Sequence, residues 1–143
     1  MSIKSVRLLL FGALCLAVSG IHADCAHELL IGDRVYQVEL AATFEQRRRG
    51  LMQRESLGSQ QGMLFLYNEP GDHRIWMKNM LIPLWVYWID ANHRVIHRQR
   101  LEPCEGSPCA VYSAPQHSLY VLELGDYEHA LAVGDRVRGL PGD

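Results

Sequence analysis

Apolar and polar positions alternate over short stretches along this chain, with punctuation by glycine, proline and asparagine. Between Arg34 and Leu40 the apolar set Val35, Tyr36, Val38 and Leu40 has the period of a half-buried strand, preceded by a turn at Gly32-Asp33. Thr43-Phe44-Glu45-Gln46 fits a capping box, in which the Thr43 hydroxyl accepts from a first-turn N–H while Gln46 reaches back. A helix over about 44–53 is therefore predicted, with Phe44, Leu51 and Met52 facing inward. Gly50 would cost roughly 1 kcal/mol against alanine inside that helix, so it marks either close packing, the reading favoured, or a position near the helix end. Met63 to Tyr67 is apolar on both faces, as a central strand would be, after a loop at 58–62 and before a turn at Asn68–Asp72.

The densest run follows, from His73 to Asp90. Its aromatic and β-branched residues predict two strands, about 73–79 and 84–89, parted by a corner at Pro83, which cannot donate to a ladder. Asp90-Ala91-Asn92-His93 has the composition of a hairpin connection into an edge strand over 94–101 with one wet face. Pro103, Pro108 and Pro115 make 102–117 a long irregular loop. Leu119–Leu124 is a further buried strand, 126–131 a helical turn, and Gly134–Val137 a turn into a closing strand. Short strands with one capped helix predict a mainly β (α+β) fold: a compact, partly closed antiparallel barrel-like sheet, one helix in the N-terminal half, and a tied loop.

The 143 residues and 48% hydrophobic content suit one globular domain. The beginning departs from that pattern. Lys4 and Arg7 precede an apolar run of about 11 residues, Leu8 to Val18, and then Ser19, Gly20 and Ala23, the layout of a secretory signal peptide over 1–23. The run is short of the roughly 20 residues of a membrane span, so no stable span is expected once it is removed, and 24–143 is expected to be one domain. Losing Lys4 and Arg7 leaves 12 basic and 16 acidic residues, a net charge of −4 with histidine neutral, which gives no attraction for nucleic acid.

Export, to the periplasm or outside the cell, changes what cysteine means. Cys15 lies in the predicted signal; Cys25, Cys104 and Cys109 remain. The four residues between Cys104 and Cys109 include Gly106 and Pro108 and can turn the chain within disulfide distance, so a structural bridge is expected. The spacing is not Cys-x-x-Cys, which weighs against a redox dithiol. Cys25 is left for a partner chain, a small thiol, or none.

The chain carries no Gly-x-Ser-x-Gly, no His-Glu-x-x-His and no phosphate-cradling glycine loop. His73, His93, His97, His117 and His129 are scattered beside turns and edges and read as solvated. Arg47-Arg48-Arg49 spread over too wide an arc for one stripe and read as a solvated face, with contact to anionic lipid or a partner as the alternative. Met52, Met63, Met77 and Met80 near His73 raise copper binding, but Met63 and Met77 fall in core strands where methionine fills gaps. Neither a metal nor a cofactor is expected.

What remains is charge inside apolar blocks. Arg54, Lys78, Asn79, Asp90 and Glu123 are the candidate ligand-binding residues. An inward Glu123 would need a partner, for which Lys78 or Arg54 is expected. That pairing would be structural, with Asp90 serving its hairpin, or would line a pocket for a small polar or anionic ligand.

Several blocks together resemble the DUF192 (UPF0127) family: Gly50-Leu51-Met52 with Arg54, Gly62-Met63-Leu64-Phe65, Trp76-Met77-Lys78-Asn79, Ile82-Pro83-Leu84, Ile89-Asp90, Cys104 and Cys109 with Tyr112, Tyr120 to Leu124, and Gly134-Asp135-Arg136-Val137. The resemblance spans about residues 29–138 and implies a small β-rich domain, often exported, with no assigned activity. Met80 stands where the family pattern has threonine, Trp85 where it has an acidic or polar residue, and the connection from Leu124 to Gly134 is short. The first two imply a more apolar site. The expectation is an exported binding or accessory module of the cell envelope, acting on a small polar ligand or an envelope protein. Its competitors are a small acid/base enzyme using Lys78, Glu123 or Asp90, and an interaction subunit docking through exposed Trp85 or Trp88.

Overall fold

The computed structural model describes residues 26–127 and 131–142. The predicted signal peptide, Cys15, Cys25 and residues 128–130 of the predicted helical turn lie outside them. In chain order come β1 (His27–Ile31), β2 (Arg34–Ala41), α1 (Phe44–Arg49), β3 (Gln61–Gly71), β4 (Ile75–Trp76), β5 (Leu84–Ile89), β6 (Val95–Leu101), β7 (Val111–Tyr112), β8 (Ser118–Gly125) and β9 (Val137–Arg138). Seven of these strands form one sheet in the order β6-β5-β8-β3-β2-β1-β9, while β4 and β7 pair apart from it.

The alternation read in the sequence sets most of this. β2, β5, β6 and β8 fall where predicted, β6 lies at the sheet's edge, and the Gly32-Asp33 turn joins β2 to β1, which the sequence pattern did not predict. Neighbours in the sheet are antiparallel except β2 and β3, which run parallel because the chain between them crosses over through α1. The segment leading into β9 also reaches β6: Arg94 and Arg136 form a bridge, Val95 N donates to Asp135 O at 2.9 Å, and Gly134 N donates to Val95 O at 2.8 Å. The sheet is thereby curled into a half-barrel.

Two cores result. One draws residues from all seven strands of the sheet, among them Tyr36, Leu64, Tyr87, Leu122 and Val137, and fills the inside of the curl. The other lies on the outer face of β3, β5 and β8, where Met63, Phe65, Val86, Trp88 and Val121 are covered by Leu51, Leu57, Met77 and Met80 from the connections. At about 25 cal/mol per Å² of apolar surface, burying a side chain the size of Leu64 or Trp88 stabilises by about 2–3 kcal/mol, and both are 0% exposed.

Five expectations need correction. The strand predicted over 73–79 is only Ile75–Trp76, because Met80 N bonds back to Met77 O at 3.3 Å and Asn79 takes a positive φ of 57°, turning the chain out of extended conformation. Asn68–Gly71, predicted as a turn, continues β3 past an irregularity in its pairing with β8. The irregular loop contains β7, which pairs with β4. Finally the helix stops at Arg49: Gly50, with φ 49°, is its C-terminal cap, and its N–H bonds to Gln46 O at 2.8 Å. Phe44, predicted to face inward, is 69% exposed. The capping box is present as predicted, with Gln46 N donating to Thr43 Oγ1 at 3.2 Å and Thr43 N to Gln46 Oε1 at 2.9 Å.

Candidate functional site

The outer core is not covered evenly, and the gap lies over β8. Glu123 sits there on the outer face, in ladder register with Met63 of β3 and Val86 of β5. Backbone packing is tight at this point: a Cβ at Gly62 would fall 2.2 Å from Glu123 O, so only glycine lets the two strands approach. Above the carboxyl, α1 ends at Gly50, where a Cβ would lie 3.3 Å from Phe65 Cζ and 3.8 Å from Glu123 Oε2. The bare backbone of Gly50 is what brings the helix end down beside the acid.

The opposite wall is the segment 72–80. Its β4 is held by β7, Cys104 N donates to Met77 O at 3.1 Å, and Gln53 N donates to Asn79 O at 2.9 Å. The Cys104–Cys109 disulfide, with Cα atoms 5.7 Å apart, ties the loop that supports this wall, as the cysteine spacing predicted. Between wall and helix lies a cleft of about 450 Å³, within the size range of small-molecule sites. Phe44 and Trp76, 69% and 42% exposed, flank it, Met80 and Phe65 line it, and Glu123 lies at its floor.

Glu123 is 4% exposed, and its Oε2 has no hydrogen-bond partner among the described residues. The expected ion pair is not made. Arg54 instead pairs with Glu39 at 2.5 Å, and Lys78 Nζ lies 5.2 Å over the Trp76 ring. Burial alone pushes the Glu123 carboxyl from 4.5 up to about 8, so the neutral acid is the form held at pH 7. Tyr67 is pushed up to about 12, mainly by burial, opposed by Arg47 and reinforced by Glu123. Arg47 Cζ lies 4.8 Å over the centre of the Tyr67 ring, and the His73 ring stacks on Tyr67 at 3.4 Å. Arg47 also donates to Ala42 O at 2.6 Å and Leu66 O at 2.8 Å, and His73 Nε2 lies 3.0 Å from Glu69 O. Burial lowers the His73 pKa. At the rim Arg48 pairs with Glu45 at 2.9 Å, and Arg74 with Asp72 at 2.8 Å, a hydrogen bond that lowers the Asp72 pKa.

The five residues predicted from sequence do not converge. Glu123 is in the cleft. Lys78 and Asn79 line an adjoining groove of about 470 Å³ that shares Trp76 with it. Arg54 lies in a third depression beside Glu39 and Gly50. Asp90 is apart from all three, its Oδ1 accepting from Asn92 N and Arg94 N at 2.9 Å each in the β5–β6 hairpin. Phe44, Arg47, Tyr67 and Trp76 line the cleft without having been named as ligand-binding from the sequence, and Arg47, read there as part of a solvated face, is half-buried. Trp76, a large aromatic near a lysine, and Arg47, in a run of three arginines, carried local signals; the cleft itself is assembled by β3 and α1 meeting over β8. Of the two substituted positions among the three departures from the family pattern, Met80 does line the cleft. Trp85 packs against the inner core beneath Arg98, and Trp88, expected to be exposed, is 0% exposed with Nε1 donating to His73 O at 2.8 Å.

Among the described residues no helix is long and apolar enough to cross a membrane. Met63, Met77 and Met80 are packed in the outer core. Two solved structures are similar to this chain. One, from Sinorhizobium meliloti and described as a candidate transcription regulator, is 28% identical over 78% of this chain and 90% of that one, with a TM-score of 0.69. The other, a protein of unknown function from Novosphingobium aromaticivorans, is 30% identical over 77% of this chain and 82% of that one, with a TM-score of 0.67. No curated protein matches. The family model of DUF192, described as "Uncharacterized ACR", matches residues 28–139, and the chain therefore belongs to the DUF192 family.

Proposed function

We propose that this chain is an exported ligand-binding module of the cell envelope, which holds a small amphipathic molecule in the cleft between α1 and β4. One observation carries this: a buried carboxyl whose Oε2 has no partner among the described residues lies at the floor of an open, aromatic-walled recess. Buried polar atoms are nearly always paired, and leaving one unpaired costs about 1–3 kcal/mol, so an orphan at the bottom of a cleft is best accounted for by a group that arrives with a ligand. Placement in the envelope rests on the signal-like layout of residues 1–23 and the Cys104–Cys109 bridge.

An acid/base enzyme centred on Glu123 is the second reading, favoured by the same raised pKa. Against it, Lys78, the companion expected for such chemistry, lies over Trp76 in the adjoining groove. Native mass spectrometry of protein recovered from its own envelope tests binding. Wild type should retain a small molecule that Trp76→Ala loses. No retained mass in either protein, with Trp76 emission unmoved by the small-molecule fraction of that envelope, overturns the proposal. Cell fractionation tests export: the mature protein should begin after Ala23 and leave the cytoplasm.

A further inference from the structure

We infer that the cleft takes a small organic acid with a flat apolar body, its anionic group on the arginine rim and an uncharged hydrogen-bonding group at the inner end against Glu123. The inference rests on the binding cleft proposed above and adds the class of ligand.

Charge decides the outer end. Arg47, Arg48, Arg49 and Arg74 line the cleft, against Asp72 in it and Glu45 beside it, which leaves 4 − 2 = +2 at the mouth of a chain whose formal charge is −2. Positive charge gathered at a recess with low-dielectric walls raises the local concentration of anions. The arginines also differ in how they are committed. Arg47 is fixed by two carbonyls and the Tyr67 ring, while Arg49 is exposed and its guanidinium makes no hydrogen bond or ion pair among the described residues. A guanidinium that is free to turn can meet a carboxylate or phosphate with two parallel donors.

Chemistry decides the inner end. A second anion beside Glu123 would face a carboxyl in a site that disfavours charge, and an ammonium would have to pass the cationic rim. A neutral carboxyl both donates and accepts, so a hydroxyl or amide satisfies it. The surfaces of Phe44, Trp76 and Phe65 between the two ends suit an aromatic or similarly flat body.

Isothermal titration of the mature protein with three matched probes tests this: 4-hydroxyphenylacetate (acid and hydroxyl), phenylacetate (acid alone) and tyramine (hydroxyl with a cation). The hydroxy acid should bind best, phenylacetate roughly tenfold more weakly for the lost hydrogen bond, and tyramine least. Glu123→Gln, which keeps a donor and an acceptor, should retain the preference for the hydroxy acid, and Glu123→Leu should bring the two acids level. Arg49→Ala should weaken both acids alike. Tyramine binding as well as the acids overturns the anion assignment, and equal binding of the two acids by wild type overturns the role of Glu123. If no probe binds while an envelope molecule is retained through Trp76, the ligand class falls and the cleft stands; if neither binds, both fall.

Discussion

Replacing Glu123 by glutamine should remove a pH-dependent instability built into the wild-type fold. Burial moves this carboxyl from 4.5 to about 8, so between those values the folded chain keeps a proton that the unfolded chain has released. Its contribution to stability is therefore fully present below about pH 4.5 and is lost as pH rises through about 8. At about 1.4 kcal/mol for each tenfold change in proton affinity, the penalty comes to about 1 kcal/mol at pH 5, about 3 kcal/mol at pH 7 and about 5 kcal/mol at pH 9. That is a large fraction of the roughly 5–15 kcal/mol that holds a small protein folded. The titrating group coupled to it is Tyr67, which, held up at about 12, stays neutral over this range. Urea unfolding of wild type and Glu123→Gln at pH 5, 7 and 9 isolates the carboxyl from every other titrating group by difference. The variant should gain about 4 kcal/mol on wild type between pH 5 and pH 9. Parallel pH profiles would refute the reasoning, because they would mean that the carboxyl is solvated or paired in solution.

Gly62→Ala places a Cβ 2.2 Å from Glu123 O in the middle of the sheet and should cost more than about 3 kcal/mol, seen as a loss of soluble protein or a sharply lowered Tm. Converting Cys104 and Cys109 together to serine opens a loop with a sequence separation of 5 and should cost about 2 kcal/mol; iodide should then quench Trp76 more readily as β4 loosens, and unchanged quenching would detach the loop from the cleft wall. Thr43→Ala removes the acceptor for Gln46 N and should lower stability by about 1 kcal/mol in the same urea assay, with no loss if α1 is held by tertiary contacts alone.

Features decided by neighbouring residues were legible in the chain. The capping box at Thr43 and Gln46, the strands at 34–41, 84–89 and 118–125, the Asp90 hairpin and the Cys104–Cys109 bridge follow from side-chain periodicity and from groups a few positions apart. The ordered blocks of the DUF192 pattern carried the family. The parallel pairing of β2 with β3 and the continuation of β3 through Pro70 were not legible, because pairing with distant segments settles them, and the short reach of β4 was hidden by a local turn at Met77–Met80 that its aromatic and β-branched composition did not announce.

The site shows the same division. Glu123 stood out as a charge inside an apolar strand, and so the sequence alone established that the acid would demand something of its surroundings. It could not show that Arg54 is taken by Glu39 or that Lys78 rests on Trp76. Nor could it show that Arg47, Tyr67 and Trp76, from three separate elements, meet around the carboxyl's cleft. Those relations depend on sheet register and curl, with Gly50 and Gly62 allowing the close approaches, and such long-range geometry has no local periodicity to announce it.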